Sequence, residues 1–360
     1  MRARILLITP LILGAPSMAI AESHGGAHKV GFSYHIMHDY DDDGFAKVDG
    51  ADAPRKTFTT NANAYVDLSG SMGDSSYQLY MNTLGGNLDS AVEVAMAKTM
   101  ICKGMTVGVG RDYANQGGYD NALFDGQTIM PSMYTTTYTP LPLSSNILQL
   151  ESDFGAGGTV TLQVLDDVTV TDANGDGIAD AGSKGQFNEA PQSQPTFALE
   201  WIGNFGMVSP MIQYFAYDQG HSMYASLGLG VMVSGANIHF DYITDSRAVK
   251  VGGKDEKNAI TNLVLDVDYN AGMVTPFLKY ANHSTKQAVT DVKGNQSIAD
   301  TSDNFTQILV GTTVNMYDHM QPYLAVKMSS ADVLKDTTKP TGSTDSKSAQ
   351  SIILGIRGAF

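Results

Sequence analysis

The sequence predicts an all-β fold, a 16-stranded antiparallel β-barrel able to cross a membrane, and three observations carry that expectation. Apolar residues recur at every second position in stretch after stretch, the mark of strands with one apolar and one polar face. The stretches are mostly about 10 to 13 residues long, the length a tilted strand needs to cross a bilayer. Their connections alternate between tight turns and long polar loops, as in barrels whose two rims face different compartments.

The chain opens with Arg2 and Arg4, an apolar run from Ile5 to Leu13, and the small-residue site Ala19-Ile20-Ala21. This pattern predicts an export signal over 1–21, cleaved to leave 22–360 as a single barrel domain. A membrane anchor is the alternative, but Pro10 and Pro16 interrupt a run already short for a span. Cleavage removes two basic residues and no acidic ones, moving the net charge from −15 to about −17. That charge argues against nucleic acid as a partner, because its binding needs clustered cations. The one cysteine, Cys102, excludes an intramolecular disulfide. Mean hydropathy is −0.11, which taken alone reads as a soluble secreted protein.

The alternation says otherwise. Leu263, Leu265, Val267 and Tyr269 share one face, and Asn262, Asp266, Asp268 and Asn270 the other. Val66 and Leu68 oppose Asn61, Asn63, Tyr65 and Asp67, while Ile352, Leu354 and Ile356 oppose Ser351, Gly355 and Arg357. In order, strands are expected near 28–38, 57–69, 75–84, 90–101, 104–112, 144–153, 157–169 and 195–204. Eight more are expected near 206–217, 222–232, 236–245, 258–270, 272–284, 303–316, 319–330 and 349–360. Tight turns fall at Gly70-Ser71-Met72-Gly73, Lys103-Gly104, Gly155-Ala156-Gly157, Asn204-Phe205-Gly206, Ser234-Gly235, Ala271-Gly272 and Tyr317-Asp318. Longer loops fall at 39–56, 113–143, 170–194, 246–257, 285–302 and 331–348, and only 85–89 and 218–221 are short on that side. An even strand count with short periplasmic turns and long extracellular loops describes an outer-membrane barrel. Closure removes the sheet edges that lipid cannot satisfy. The final strand, ending on Phe360, is expected to pair with the first.

The loop 113–143 is too long to be a simple connection in a compact domain. A barrel of this size is too wide for side chains to fill, so a loop tucked inside would set its bore. Asp120 and Asp125 are its acidic groups, and no residue from Asp112 to Ser183 is basic. Two carboxylates beside a narrow low-dielectric wall favour cations and repel anions. Inward parity suggests Lys279, Lys327 and Arg357 as a basic wall, with Arg111 at the start of the loop. The alternatives stay open: the two acids can face outer solvent, and each cation can be a scattered lumen charge.

Gly110-Arg111-Asp112-Tyr113, followed by Asp120-Asn121-Ala122-Leu123 and Met130-Pro131, resembles the fifth strand and third loop of the general diffusion porins of Gram-negative bacteria. Leu354-Gly355-Ile356-Arg357-Gly358-Ala359-Phe360 is similar to their closing strand. The resemblance implies a third loop that folds inward, with acids facing a basic wall in a water-filled channel for ions and small hydrophilic solutes. It also implies residence in the outer membrane beside lipopolysaccharide, a homotrimer, and a terminal Phe360 read by the barrel-assembly machinery. Two departures stand out. Thr128, Ile129, Ser132 and Met133 occupy positions that are acidic in the enteric pattern, and the loop at 85–89 is much shorter than the usual subunit latch.

A second candidate lies in the fourth loop. Asp172, Asn174, Asp176, the Ile178 carbonyl and Asp180 place oxygens at alternate positions around Gly177, as in the first nine positions of an EF-hand-type loop for Ca2+. Ser183 stands where the closing Glu belongs, and the same residues also simply make turns. Asp39, Asp41 and Asp43 before Gly44 are a weaker echo. Trp201 and the tyrosines near strand ends fit an aromatic girdle, and the histidines show no metal-ligand spacing.

The function expected is therefore passive diffusion with mild cation preference. A substrate-specific channel, or a surface adhesin or receptor with calcium-stabilised loops, is the alternative. An enzyme is not expected, since no nucleophile or acid cluster with histidine is readable from the spacing.

Overall fold

Alternation, carried far enough, builds a wall with two different faces. In the computed structural model, residues 27–43, 47–48, 51–52, 55–83, 92–112, 115, 118–119, 145–165, 168–169, 186–187, 196–217, 222–251, 254–287, 301–315, 320–333 and 345–359 are described. The barrel strands are β1 (Ala27–Asp43), β2 (Arg55–Met72), β3 (Ser75–Asn82), β4 (Val92–Cys102), β5 (Met105–Asp112), β6 (Ser145–Asp153), β7 (Thr159–Leu165) and β8 (Thr196–Ile202). They continue as β9 (Val208–Tyr217), β10 (Ser222–Val233), β11 (Ala236–Val251), β12 (Lys254–Tyr269), β13 (Val274–Gln287), β14 (Thr301–Val314), β15 (Gln321–Val333) and β16 (Asp345–Ala359). Every strand is antiparallel to both neighbours, and β16 closes the barrel on β1 through pairs running from Ser33↔Ala359 to Asp42↔Gln350. Two short ribbons stand apart from the barrel, Lys47–Val48 with Ala51–Asp52 and Val168–Thr169 with Gln186–Phe187.

The pleat sends alternate side chains to opposite faces. One row looks outward and is apolar: Val109, Leu148, Leu227 and Ile352 are each at least half exposed. Exposed apolar area of that extent would be a liability in water, and it is the surface a hydrocarbon layer accepts. The other row looks into the barrel. Met96, Ile147, Leu165, Phe215 and Ile243 pack there, beside the polar Gln163, Gln213, Asp241, Lys279 and Ser351, all of them buried. At the tight-turn rim, Phe154, Trp201 and Phe205 are outward, and the Trp201 indole N–H donates to the Gly157 carbonyl at 3.0 Å. Trp201 is one of the residues for which the sequence suggests an aromatic girdle, and Phe154 and Phe205 accompany it at this rim.

Four of the expected long loops are shorter than the sequence reading. β11 and β12 stay paired out to Val251↔Lys254, so the expected loop 246–257 is a hairpin extension with only Gly252 and Gly253 between the strands. β13 and β14 likewise run to Gln287↔Thr301, and β15 and β16 to Val333↔Asp345. The loop 39–56 is also trimmed, because β1 pairs with β2 through Asp43↔Arg55. The reason is common to all four. Beyond a bilayer both faces of a strand meet water, so alternation vanishes from the sequence while backbone pairing continues. This places Asp39, Asp41 and Asp43 in extended paired backbone, and the weaker calcium echo loses its loop.

Candidate lumen site: a loop anchor between charged walls

Asn115, Gly118 and Tyr119 follow β5, and all three are held against the inner wall. Gln149, Gln163, Glu200, Gln213 and Asp241 sit at inward positions of β6, β7, β8, β9 and β11, where alternation places them. The Asn115 N–H donates to Gln163 Oε1 at 2.8 Å, and its side-chain Nδ2 donates to Glu200 Oε1 at 3.1 Å. The Gly118 N–H donates to Gln213 Oε1 at 2.9 Å, and the Tyr119 N–H donates to an Asp241 carboxylate oxygen at 3.0 Å. Gln213 Nε2 donates in turn to Glu200 Oε2 at 2.6 Å, and Gln163 Nε2 to Gln149 Oε1 at 3.2 Å. The belt continues from Gln149 Nε2 to Glu151 Oε2 at 3.2 Å. Backbone donors that a loop leaves unsatisfied are thus accepted by side chains of the wall, two by the neutral amides of Gln163 and Gln213 and one by the Asp241 carboxylate, the stronger acceptor.

Tyr119 is the keystone of this anchor. Its ring lies on His239 of β11, with centroids 5.1 Å apart, and its hydroxyl donates to the Ser209 carbonyl of β9. Burial, then the Asp241 and Glu200 carboxylates, push its phenol up to about 12, so it remains a donor across the physiological range. Room for the ring exists because β10 presents Gly228, where a Cβ would fall 2.8 Å from the Tyr119 ring. Gly118 is equally constrained. It adopts φ +67°, and a Cβ there would fall 2.5 Å from an Asp241 carboxylate oxygen. The chain therefore enters the barrel through a left-handed turn that only glycine makes at low cost.

Charge is segregated around the described part of the lumen. Asp112, Glu151, Glu200, Asp241, Asp245, Asp266 and Asp268 lie on inward rows of β5, β6, β8, β11 and β12, on the side where the loop is anchored. Among residues whose side chains are described, Lys279, Lys327, Arg357, Lys29 and Lys98 lie on inward rows of β13, β15, β16, β1 and β4, with Asp67 of β2 the exception; the backbone register also carries Asp39 and Asp41 of β1 on the rows of Ile353 and Ser351. The two arcs meet where Asp266 pairs directly with Lys279. That same row runs His239↔Asp266↔Lys279↔Leu309↔Lys327, so it links the ring under Tyr119 to both lysines.

The residues singled out from the sequence divide accordingly. Lys279 and Lys327 share that row, Lys279 buried and Lys327 half-buried. Arg357 is inward too, its Nε donating to Gln321 Oε1 at 3.0 Å. It lies six residues beyond Ser351, the partner of Lys327, which is roughly 20 Å along β16 toward the tight turns. Arg111 is corrected. β5 continues through Asp112, and Arg111 pairs with Asn146 and Ala95 in the outward row that contains Val109 and Leu148. Asp120, Asp125, Asp172, Asn174, Asp176, Ile178, Asp180 and Phe360 lie outside the described residues. The sequence reading missed the anchor. Its one available signal was an amide recurring among apolar inward positions of successive strands, at Gln149, Gln163 and Gln213.

No protein-family model matches the chain, and no curated protein matches it in sequence. Solved structures do match in shape. An anion-selective porin from Comamonas acidovorans superposes with a TM-score of 0.60 at 14% identity, over 93% of this chain and 100% of that one. The outer membrane channel DcaP of Acinetobacter baumannii superposes with a TM-score of 0.60 at 10% identity, over 94% and 99%. Salmonella typhi OmpF, in complex with daunomycin, gives 0.58 at 13% identity, over 93% and 98%. At these identities the likeness is one of architecture, and the chain has the fold of the sixteen-stranded porin barrels.

Proposed function

We propose that this protein is an outer-membrane channel for passive diffusion of ions and small hydrophilic solutes, mildly cation-selective and without a catalytic cycle. The observation that carries the reading is the start of the third loop, Asn115, Gly118 and Tyr119, pinned inside the barrel against an acidic arc that faces a basic one. A loop held there narrows the bore. Opposed charges across a narrow wet passage orient polar solutes and penalise apolar ones, while weak binding keeps flux fast. The acidic arc, together with Asp120 and Asp125 of the loop, supports cation preference; Lys279 and Lys327 form the basic side, and Arg357 extends it toward the tight turns. Reversal potential in a salt gradient, read from single channels in a planar bilayer, tests this. Ohmic steps with cation preference are expected; no conductance, or anion preference, overturns it.

Three further parts of the reading rest on particular features. Among the described residues β3, β5, β7 and β8 extend over 8, 8, 7 and 7 positions, below the roughly nine to eleven that a tilted strand needs to cross lipid. This low arc supports a homotrimer in which neighbouring copies cover it. The segment 172–180 carries the alternating oxygens of a Ca2+ loop. Phe360 supports recognition by the barrel-assembly machinery, in a membrane whose outer leaflet is lipopolysaccharide.

A further inference from the structure

At the tight-turn end, far from the loop anchor, the lumen holds a cavity of about 560 Å³ with a composition of its own. Its floor carries the polar, uncharged Ser69 and Ser71 of β2 and Ser76 and Gln78 of β3, beside the apolar Met96 of β4 and the ring of Tyr77. Its two sides are lysines, Lys29 of β1 and Lys98 of β4. The register fixes this arrangement. Lys29 pairs with Ser69 and Ser69 with Gln78, while Ser71 pairs with Ser76 and Ser76 with Lys98. All six therefore point the same way, inward. Three inter-strand spacings separate β1 from β4, roughly 14 Å, a gap that two flexible lysine stems can close on an anion set between them. The hydroxyls and the amide beneath are neutral donors that remain available to such an anion.

Nearby acids do not quench the site. Glu151 approaches Lys98 at 3.6 Å with both side chains about one-third exposed, a loose pair of small worth. Asp67 lies one inward position deeper on β2 than Ser69. We infer that this mouth is a binding subsite for a small phosphate-bearing anion, held between Lys29 and Lys98 over the serine floor. Two cations flanking three hydroxyls suit a tetrahedral oxyanion, whose several acceptor oxygens diverge, better than they suit chloride. The subsite makes the channel asymmetric. An anion arriving from the tight-turn side meets an attractive mouth before it meets the acidic arc.

The test is calorimetric titration of inorganic phosphate into detergent-solubilised protein, with chloride at matched ionic strength as the reference. It needs no conductance, so its failure and a failure of the channel reading are separable. Saturable phosphate binding is expected in wild type, weakened at least tenfold in K29Q/K98Q and unchanged in K103Q, which removes a charge from the adjacent turn. Each single variant, K29Q or K98Q, should also weaken binding, which keeps the test alive should the double variant fail to fold. A parallel titration with glycerol phosphate tells esterified from free phosphate. Saturable binding of either anion that is lost in K29Q/K98Q supports the subsite. Binding of neither, heats identical in wild type and K29Q/K98Q, or an equal loss in K103Q overturns it.

Discussion

Replacing Gly118 with alanine adds one methyl group at the point where the third loop turns into the barrel. The new Cβ would lie 2.5 Å from an Asp241 carboxylate oxygen and 2.6 Å from its Cγ, so the carboxylate must move. The left-handed backbone at φ +67° costs an alanine about 1–2 kcal/mol. Moving Asp241 also breaks the 3.0 Å bond it accepts from the Tyr119 N–H, a bond to a charged group that contributes about 1.5–3 kcal/mol. Together the change weakens the anchor by about 3–5 kcal/mol. At about 1.4 kcal/mol per tenfold, the ratio of docked to released loop falls by roughly 100- to 4,000-fold. Gly73 supplies the control. Its φ of +59° imposes the same backbone cost on alanine, yet no heavy atom lies within 4 Å of its Cβ and it sits at the opposite rim. Two assays read the difference. Single-channel records of G118A should show flicker and a larger mean conductance, with wild-type steps in G73A. Chymotrypsin, for which the loop offers Phe124 and Tyr134, should cut G118A faster than G73A. Equal noise and equal cleavage rates in the two variants would refute the anchor.

Other perturbations reach the charged walls, the fourth loop and the low arc. Lys279→Gln removes the cation paired with Asp266. A unit charge acting at about 4 Å in water is worth about 1 kcal/mol, so the cation-to-anion permeability ratio should rise roughly fivefold; an unmoved reversal potential counts against a role for Lys279 in the constriction. Asp176→Ala removes a central oxygen of the candidate calcium loop. Calcium titrated into wild type should give saturable heat in the millimolar range or below, lost in the variant, and identical heats would dismiss the loop as a turn. Leu148→Arg on β6 and Leu278→Arg on β13 place a charge on the low and the tall wall respectively. The β6 change should lower the oligomeric mass in detergent while the β13 change leaves it intact, and a purely monomeric wild type would remove the trimer from the reading.

Much of this architecture was written in period two. Alternation at 258–270 or 349–360 needs only a hydrocarbon layer outside and water inside, and both conditions act residue by residue along a strand. The sequence alone therefore determined sixteen strands, their order, and the inward facing of Lys279, Lys327 and Arg357. Above the membrane the same rule goes silent. The pairing of Lys250 with Asp255, and of Asp43 with Arg55, is carried by backbone hydrogen bonds that leave no apolar signature. Arg111 went astray because the sequence reading assigns it to the start of the loop, whereas the pleat of β5 puts it on the outward face with Val109. The loop anchor was decided by the tertiary structure alone. Gly118 and Tyr119 meet Gln213, Asp241 and Ser209 only after a closed barrel brings β9 and β11 beside the entering loop. Contacts between residues some 90 to 120 positions apart depend on closure and register, which no local pattern encodes.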